Sequence, residues 1–437
     1  MAHALSLLAT PPYAAARRLR RYAERVRLPW FPLLLLSAGI FVAVTSEFLP
    51  IGLLPQLRDE LGITEAQVGM LVTVFAATVV VATAPLTQLT RRVPRKTLLV
   101  VLLGVFAVAN LVAAVAPDYV VLLVARVIGG AAHGVFWAVV SPYAARLVPP
   151  QRLSSAVAVA TSGATMATVA GLPLGALLGS AVGWRASFAV ITVLVVVIAA
   201  LIIAVLPPVE HRATSGAAGV VAQAAADAVA HAADPARSPV RAARDASFAP
   251  VMVLCATVVL VTLGHATFYT YIAAWVIDVA GFGEGDVAGI LLLFGAAGTV
   301  GVVVAGTLGD RYPRALLPVL LAGVIVSVAG IAALSGEPLA VIVLLALWSA
   351  FLGGVPIIFQ ARLLQTASLA LRDIAAAWLT VAFNIGIGGG ALLGGMVIGA
   401  WSVAALPVVT VACLLAGLVL VLGSTTGVLA RRQQALA

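Results

Sequence analysis

Long apolar runs alternate along this chain with short polar stretches, and each run approaches the roughly 20 residues that an α-helix needs to cross the hydrocarbon core of a bilayer. The runs fall at approximately 33–56, 67–90, 97–116, 119–147, 154–181 and 186–206, then at 249–277, 287–308, 315–334, 338–362, 373–399 and 402–425. The pattern predicts an all-α membrane protein of twelve transmembrane helices in two six-helix halves, 33–206 and 249–425. Between them, 207–248 is rich in Ala, Asp, His and Arg, carries Pro207, Pro208, Pro235 and Pro239, and is too polar to span. It reads as a linker, with a short surface helix expected over 218–232. Residues 1–32 form an Arg-rich tail and 426–437 a second, short one.

The halves repeat one another. Pro32 precedes Glu47 by the same interval that separates Pro250 from His265, each pair opening an apolar run. The sequence Gly175-Ala-Leu-Leu-Gly179 recurs as Gly390-Ala-Leu-Leu-Gly394, and Arg92-Val-Pro-Arg95 parallels Arg311-Tyr-Pro-Arg314. The offsets agree to within a few residues and equal about half the chain. Six plus six helices in the same orientation imply a parallel repeat about the membrane normal, with a substrate site near mid-membrane between the halves.

Charge then fixes the orientation. Of the 25 Lys and Arg residues, all but Arg58, Arg126 and Arg185 fall in the termini, the linker and alternate loops. The intervening loops carry Asp59, Glu60, Glu65, Asp118, Asp278, Glu284, Asp286 and Glu337. Short cytoplasmic loops retain Lys and Arg, so both termini and the linker are expected in the cytoplasm. Of those three exceptions, Arg126 lies deep within a run.

Composition excludes several classes. With 63% hydrophobic and 9% charged residues and a mean hydropathy of +1.16, the chain is far from soluble averages. The net charge of +9 is spread over separate loops rather than one face, so it marks topology and not nucleic-acid binding. Cys255 and Cys413 sit in apolar runs, which supports neither a disulfide framework nor a metal site. No nucleophile–base set or His-Glu-x-x-His motif marks an enzyme. The sole lysine, Lys96, follows Arg95 rather than Gly, which leaves no phosphate loop for ATP-driven transport.

Several motifs resemble the major facilitator superfamily. The loop Gly306-Thr-Leu-Gly-Asp310-Arg311-Tyr-Pro-Arg314 is similar to its loop signature, in which an acid at a helix end beside arginines can latch neighbouring helices. The matching loop after the second run is degenerate, with Thr87 in place of the Gly and Arg91 in place of the Asp, while Arg92 and Arg95 remain. There plain positive-inside anchoring competes with a latch. In the fourth run, Arg126 followed by Gly129, Gly130 and Gly134 resembles the motif of proton-coupled members. The Gly/Pro-rich stretch from Gly171 to Gly179 resembles the antiporter signature in loosened form, against which stands close helix packing with a Pro bend. Ser46-Glu47-Phe-Leu-Pro, Ala132-His133-Gly-Val-Phe-Trp137 and Phe383-Asn384-Ile-Gly resemble the bacterial sugar efflux transporters, in the drug:proton antiporter branch with arabinose-efflux-like and chloramphenicol-resistance proteins.

The resemblance implies that the first, fourth, seventh and tenth runs line a central cavity, where Glu47, Arg126 and His133 could converge. Ionisable groups at such depth are costly and usually face a cavity or a partner. Desolvation favours protonated Glu47 while a nearby Arg126 favours the ionised form, so the trio suits proton coupling, with a static Glu47–Arg126 pair as the competing reading. Glu47, His133, Trp137, His265, Tyr269 and Asn384 are the candidate substrate contacts, with Tyr271, Trp275 and Trp348 as further aromatics that could stack on a ligand or simply pack. The expected activity is proton-driven export of a small neutral solute, a sugar or an amphenicol-type drug, from a bacterial inner membrane. The proton gradient would supply the energy, with no cofactor or metal, and a monomer in the lipid bilayer is expected. An uptake symporter, and a membrane enzyme or receptor, are the competing readings.

Overall fold

The computed structural model describes residues 28–149, 152–207, 245–309, 311–368 and 371–426. Both tails, most of the linker with its expected helix over 218–232, and Asp310 lie outside the described residues. Every regular element among the described residues is helical, and twelve helices are long and apolar enough to cross a membrane. Spans one to six are Trp30–Gly52, Glu65–Leu89, Arg95–Ala114, Tyr119–Arg146, Ser155–Val182 and Trp184–Val205. Spans seven to twelve are Phe248–Tyr269, Glu284–Leu308, Leu316–Ala333, Pro338–Thr366, Ile374–Ala400 and Val403–Gly423. The chain is an all-α membrane protein.

The first span of each half is shorter than its apolar run. Span one stops at Gly52, and a separate helix, Leu54–Leu61, takes up the rest with Pro55 in its first turn. Span seven stops at Tyr269, and Ile272–Asp278 follows after a break at Thr270–Tyr271. The break at Thr270–Tyr271 leaves no hydropathy signal because the residues on either side stay apolar, whereas the one at Leu53 falls just before the polar Gln56, Arg58, Asp59 and Glu60. The turn after Leu54–Leu61 closes on Gly62 at φ 62°, a left-handed conformation that glycine adopts without strain. Span two then starts on a capping box, in which Gln67 N–H donates to Thr64 Oγ1 and Thr64 N–H donates to Gln67 Oε1. Span four starts on Asp118, whose carboxylate accepts the Val121 N–H at 3.0 Å.

The recurring glycine motif now has a mechanical reason. Gly171, Gly175 and Gly179 of span five lie one turn apart and receive Thr45 and Leu49 of span one and Leu53, which caps it. In the second half Gly386 and Gly390 of span eleven receive Thr262 and Ala266 with Thr267 of span seven, and Gly394 receives Tyr271 at the break that follows it. Each half therefore seats the ridge of its first span in a glycine groove, which lets backbones approach closely where no water is squeezed out to drive association. A π-turn at Ala167–Gly171 precedes Pro173, whose missing N–H leaves the Val169 carbonyl without its usual helical donor.

The halves meet along two seams. Span two packs on span eleven, where the Thr73 hydroxyl donates to the Gly388 carbonyl at 3.0 Å. Span eight packs on span five at the π-turn, where a Cβ on Gly295 would come within 2.6 Å of Val169 Cα. Further contacts gather at the face away from the basic loops. There Tyr271, anchored in its own half by donating to the Ala391 carbonyl at 2.6 Å, leans on Gly69 of the first half, and Gly395 packs on Ala66. Arg58 Nη1 lies 3.8 Å from Asp278 Oδ2, joining the short helices that follow spans one and seven.

Candidate functional site

Glu47, Arg126 and His133 come together inside the first half, where they are 7%, 3% and 4% exposed. Their arrangement differs from a carboxylate–guanidinium pair. Arg126 directs its side chain at backbone carbonyls: Nη1 donates to Ser46 O at 2.8 Å, Nη2 to Glu47 O at 2.6 Å and Nε to Leu71 O at 3.3 Å. Pro50 explains the demand for a donor here. It stands four residues after Ser46 inside span one and has no N–H to bond that carbonyl. The guanidinium also lies 4.2 Å from the ring centroid of Phe75, a favourable place for a desolvated cation. Arg126 thus ties span four to spans one and two.

The Glu47 carboxylate is met by a different residue. Its Oε2 lies 3.4 Å from His133 Nε2. The same Nε2 accepts the Trp137 indole N–H at 2.8 Å, one helical turn along span four. Phe75 packs edge-on against the imidazole at 5.2 Å between centroids, with Phe106 at 6.2 Å. Trp137 is half-buried and engaged with His133 rather than presented as an open stacking face. Around them sit two polar residues not singled out from the sequence: the Ser46 hydroxyl donates to Asn110 Oδ1 at 2.7 Å, and Asn110 Nδ2 donates to the Phe106 carbonyl at 2.8 Å. Asn110 is a lone amide in an apolar span, which was the available signal.

The second half offers aromatic rather than charged groups. The His265 ring stacks on Tyr269 at 4.9 Å and 23°, and Trp348 stands edge-on to it at 5.4 Å. Phe294 completes the group, 4.9 Å from Tyr269 and 5.1 Å from Trp348. The buried His265 Nδ1 and Trp348 Nε1 have no hydrogen-bond partner among the described residues. Tyr271 and Trp275 are packing residues, 0% and 1% exposed, with Trp275 edge-on to Phe268. Asn384 is half-buried on span eleven and spends its amide on the Thr380 carbonyl of its own helix at 3.0 Å. It joins neither cluster.

Of the residues expected to form the loop latch, the acid Asp310 lies outside the described residues. Arg92, Arg311 and Arg314 are exposed and Arg95 is half-buried. Arg311 lies 5.7 Å over the Tyr312 ring, while Arg362 of span ten donates to the Arg314 carbonyl at 3.1 Å. A second fastening joins the end of the linker to the loop between spans ten and eleven. Asp245 accepts the Ser247 N–H at 2.8 Å and both hydroxyls, Ser247 at 2.6 Å and Ser368 at 2.7 Å. These bonds hold the Asp245 carboxyl below its ordinary pKa. Among the described residues no group of three or more His, Cys, Asp or Glu side chains is placed to hold a metal.

A buried acid and imidazole in one half, an aromatic cluster in the other and a two-seam interface suit a carrier that rearranges about its centre. Comparison with known proteins agrees. The human organic anion transporter MFSD10 (TETRAN) is similar in fold, with a TM-score of 0.67 at 15% identity, covering 90% of this chain and 100% of that one. The family described as the Major Facilitator Superfamily matches residues 36–368. This secondary transporter therefore belongs to the Major Facilitator Superfamily.

Proposed function

We propose that the protein exports a small neutral solute, a sugar or an amphenicol-type drug, in exchange for protons, and that Glu47 carries the proton. The observation behind this reading is the carboxylate of Glu47 buried against His133 at 3.4 Å while the nearby Arg126 is spent on backbone carbonyls. A buried acid without a guanidinium partner exchanges a proton more readily than one locked in an ion pair. The His265, Tyr269, Trp348 cluster supports a substrate with a flat or apolar face, and the scarcity of fixed cations besides Arg126 favours a neutral one. The resemblance to drug:proton antiporters and bacterial sugar exporters supports direction, a bacterial inner membrane and a monomeric carrier without cofactor, nucleic-acid partner or enzymatic activity.

Proteoliposomes carrying an imposed pH gradient test it. Glu47→Gln should abolish gradient-driven efflux yet retain solute exchange, because glutamine mimics the protonated acid in shape. Efflux with unchanged pH dependence would move the coupling site elsewhere. Tight binding of an anionic sugar phosphate, with no response to neutral sugars or amphenicols, would refute the substrate class. Sidedness is tested separately by reporter fusions at Ser215 and Glu337, which should report opposite compartments; the same compartment at both would overturn the proposed topology.

A further inference from the structure

His133 Nε2 faces two groups at once, and their chemistries conflict. The Trp137 indole N–H can only donate, and it does so to Nε2 at 2.8 Å. Nε2 must therefore present its lone pair, which places the ring proton on Nδ1, a buried atom with no partner among the described residues. Glu47 Oε2 stands 3.4 Å from the same Nε2. An imidazole nitrogen has a single in-plane lone pair, so indole and carboxyl compete for it.

We propose that Trp137 is a positioning residue that holds His133 as a neutral acceptor and so confines the exchangeable proton to Glu47. This rests on the reading of Glu47 as the proton carrier. In the transfer that Trp137 opposes, the Glu47 O–H breaks and an N–H forms at His133 Nε2. That leaves a carboxylate beside an imidazolium whose two nitrogens are both donors. The indole N–H then faces another N–H, so the step requires Trp137 to withdraw. Both residues sit one turn apart on span four, so withdrawal needs a rotamer change or a bend in that span. Among the described residues the other titratable or charged group facing this point is Arg126 on span four itself, fastened to the carbonyls of Ser46, Glu47 and Leu71. Spans two and three present Phe75 and Phe106 to the imidazole.

Trp137→Phe keeps a ring and removes the donor. In purified protein in nanodiscs, infrared pH titration should show one buried carboxyl in the wild type, lost in Glu47→Gln. Trp137→Phe should take up one further proton per molecule, with imidazolium bands that disappear in Trp137→Phe/His133→Gln. An infrared titration of Trp137→Phe identical to the wild type would overturn the proposal. A carboxyl band that survives Glu47→Gln would instead sink the assignment of the carrier. Should Trp137→Phe fail to fold, the ¹⁵N-indole resonances of the wild type decide. One should lie downfield and be lost in His133→Gln; spectra without such a resonance would overturn the proposal.

Discussion

Arg126 reaches the carbonyl oxygen of Glu47, at 2.6 Å, and leaves the carboxylate of the same residue to His133. A buried arginine that serves backbone acceptors is a structural tie before it is an electrostatic tuner. The acceptor with the greatest need is Ser46 O, which Pro50 deprives of its helical donor. Leaving such a carbonyl buried and unbonded costs about 1–3 kcal/mol. Arg126→Ala should therefore lower thermal stability in detergent sharply, and Arg126→Lys only partly less, since one ammonium cannot reproduce the planar fork. Pro50→Ala restores an N–H for Ser46, so the loss from Arg126→Ala should shrink in that background. A coupling of about 0.5–3 kcal/mol in the double-mutant cycle is expected. Strict additivity would separate Arg126 from the proline.

The glycine grooves give a second expectation. Gly175 receives Leu49 and Gly390 receives the turn at Ala266 and Thr267. Gly175→Val or Gly390→Val should each separate the first span of its half from the helix that seats it. The expected result is a loss of the monodisperse peak in size-exclusion chromatography. Gly104 of span three, with open space around its Cα, is the control, and Gly104→Ala should be neutral or slightly stabilising. Equal damage from all three would mean that the grooves carry no particular packing.

The sequence discloses what depends on apolarity and repetition. The number of spans, their order and the kinship of Gly175–Gly179 with Gly390–Gly394 are all visible because lipid demands long runs and because the two halves solve one packing problem twice. Glu47, Arg126 and His133 stand out since polar groups at such depth are expensive. Which atom of each meets which partner does not show in a string of residues. Arg126 goes to carbonyls because Pro50 empties one of them, a consequence of two positions on different spans. Trp137 reads as a stacking surface until the rotamer puts its N–H on His133. The Asp245–Ser247–Ser368 fastening joins segments more than a hundred residues apart, and no local pattern announces it.

That fastening carries a pH dependence with a definite sign. The Asp245 pKa is lowered by the hydroxyls of Ser247 and Ser368. A carboxyl whose folded pKa lies below its unfolded value stabilises the fold above the unfolded value and loses that contribution as pH falls through the folded one. The junction between the linker and the loop after span ten should therefore loosen only in strongly acidic buffer. Amide exchange at the N–H groups of Ser247 and Ser368 reports it. Asp245→Asn should raise exchange there at neutral pH; unchanged exchange would mean that the junction is held by other contacts.

Arg58 and Asp278 form the one ion pair between the halves seen among the described residues, at 3.8 Å and with side chains 30% and 40% exposed. An exposed pair of this length contributes at most about 1 kcal/mol and is screened by salt. Arg58 is also held by Asp59 at 2.8 Å and Glu65 at 3.0 Å on its own half, so losing Asp278 does not leave it unpaired. Asp278→Asn should therefore spare folding while shifting the balance between closed and open forms at this face. A carrier must part these helices to expose its centre, so a contact made only in the closed form biases the population by its own small energy. A spin-label pair placed on the helices Leu54–Leu61 and Ile272–Asp278 should show a larger long-distance fraction in Asp278→Asn, by up to about fivefold for 1 kcal/mol. High salt should produce the same change in the wild type and little in the variant. A distance distribution indifferent to both would assign closure at this face to the contacts of Tyr271 with Gly69 and of Gly395 with Ala66.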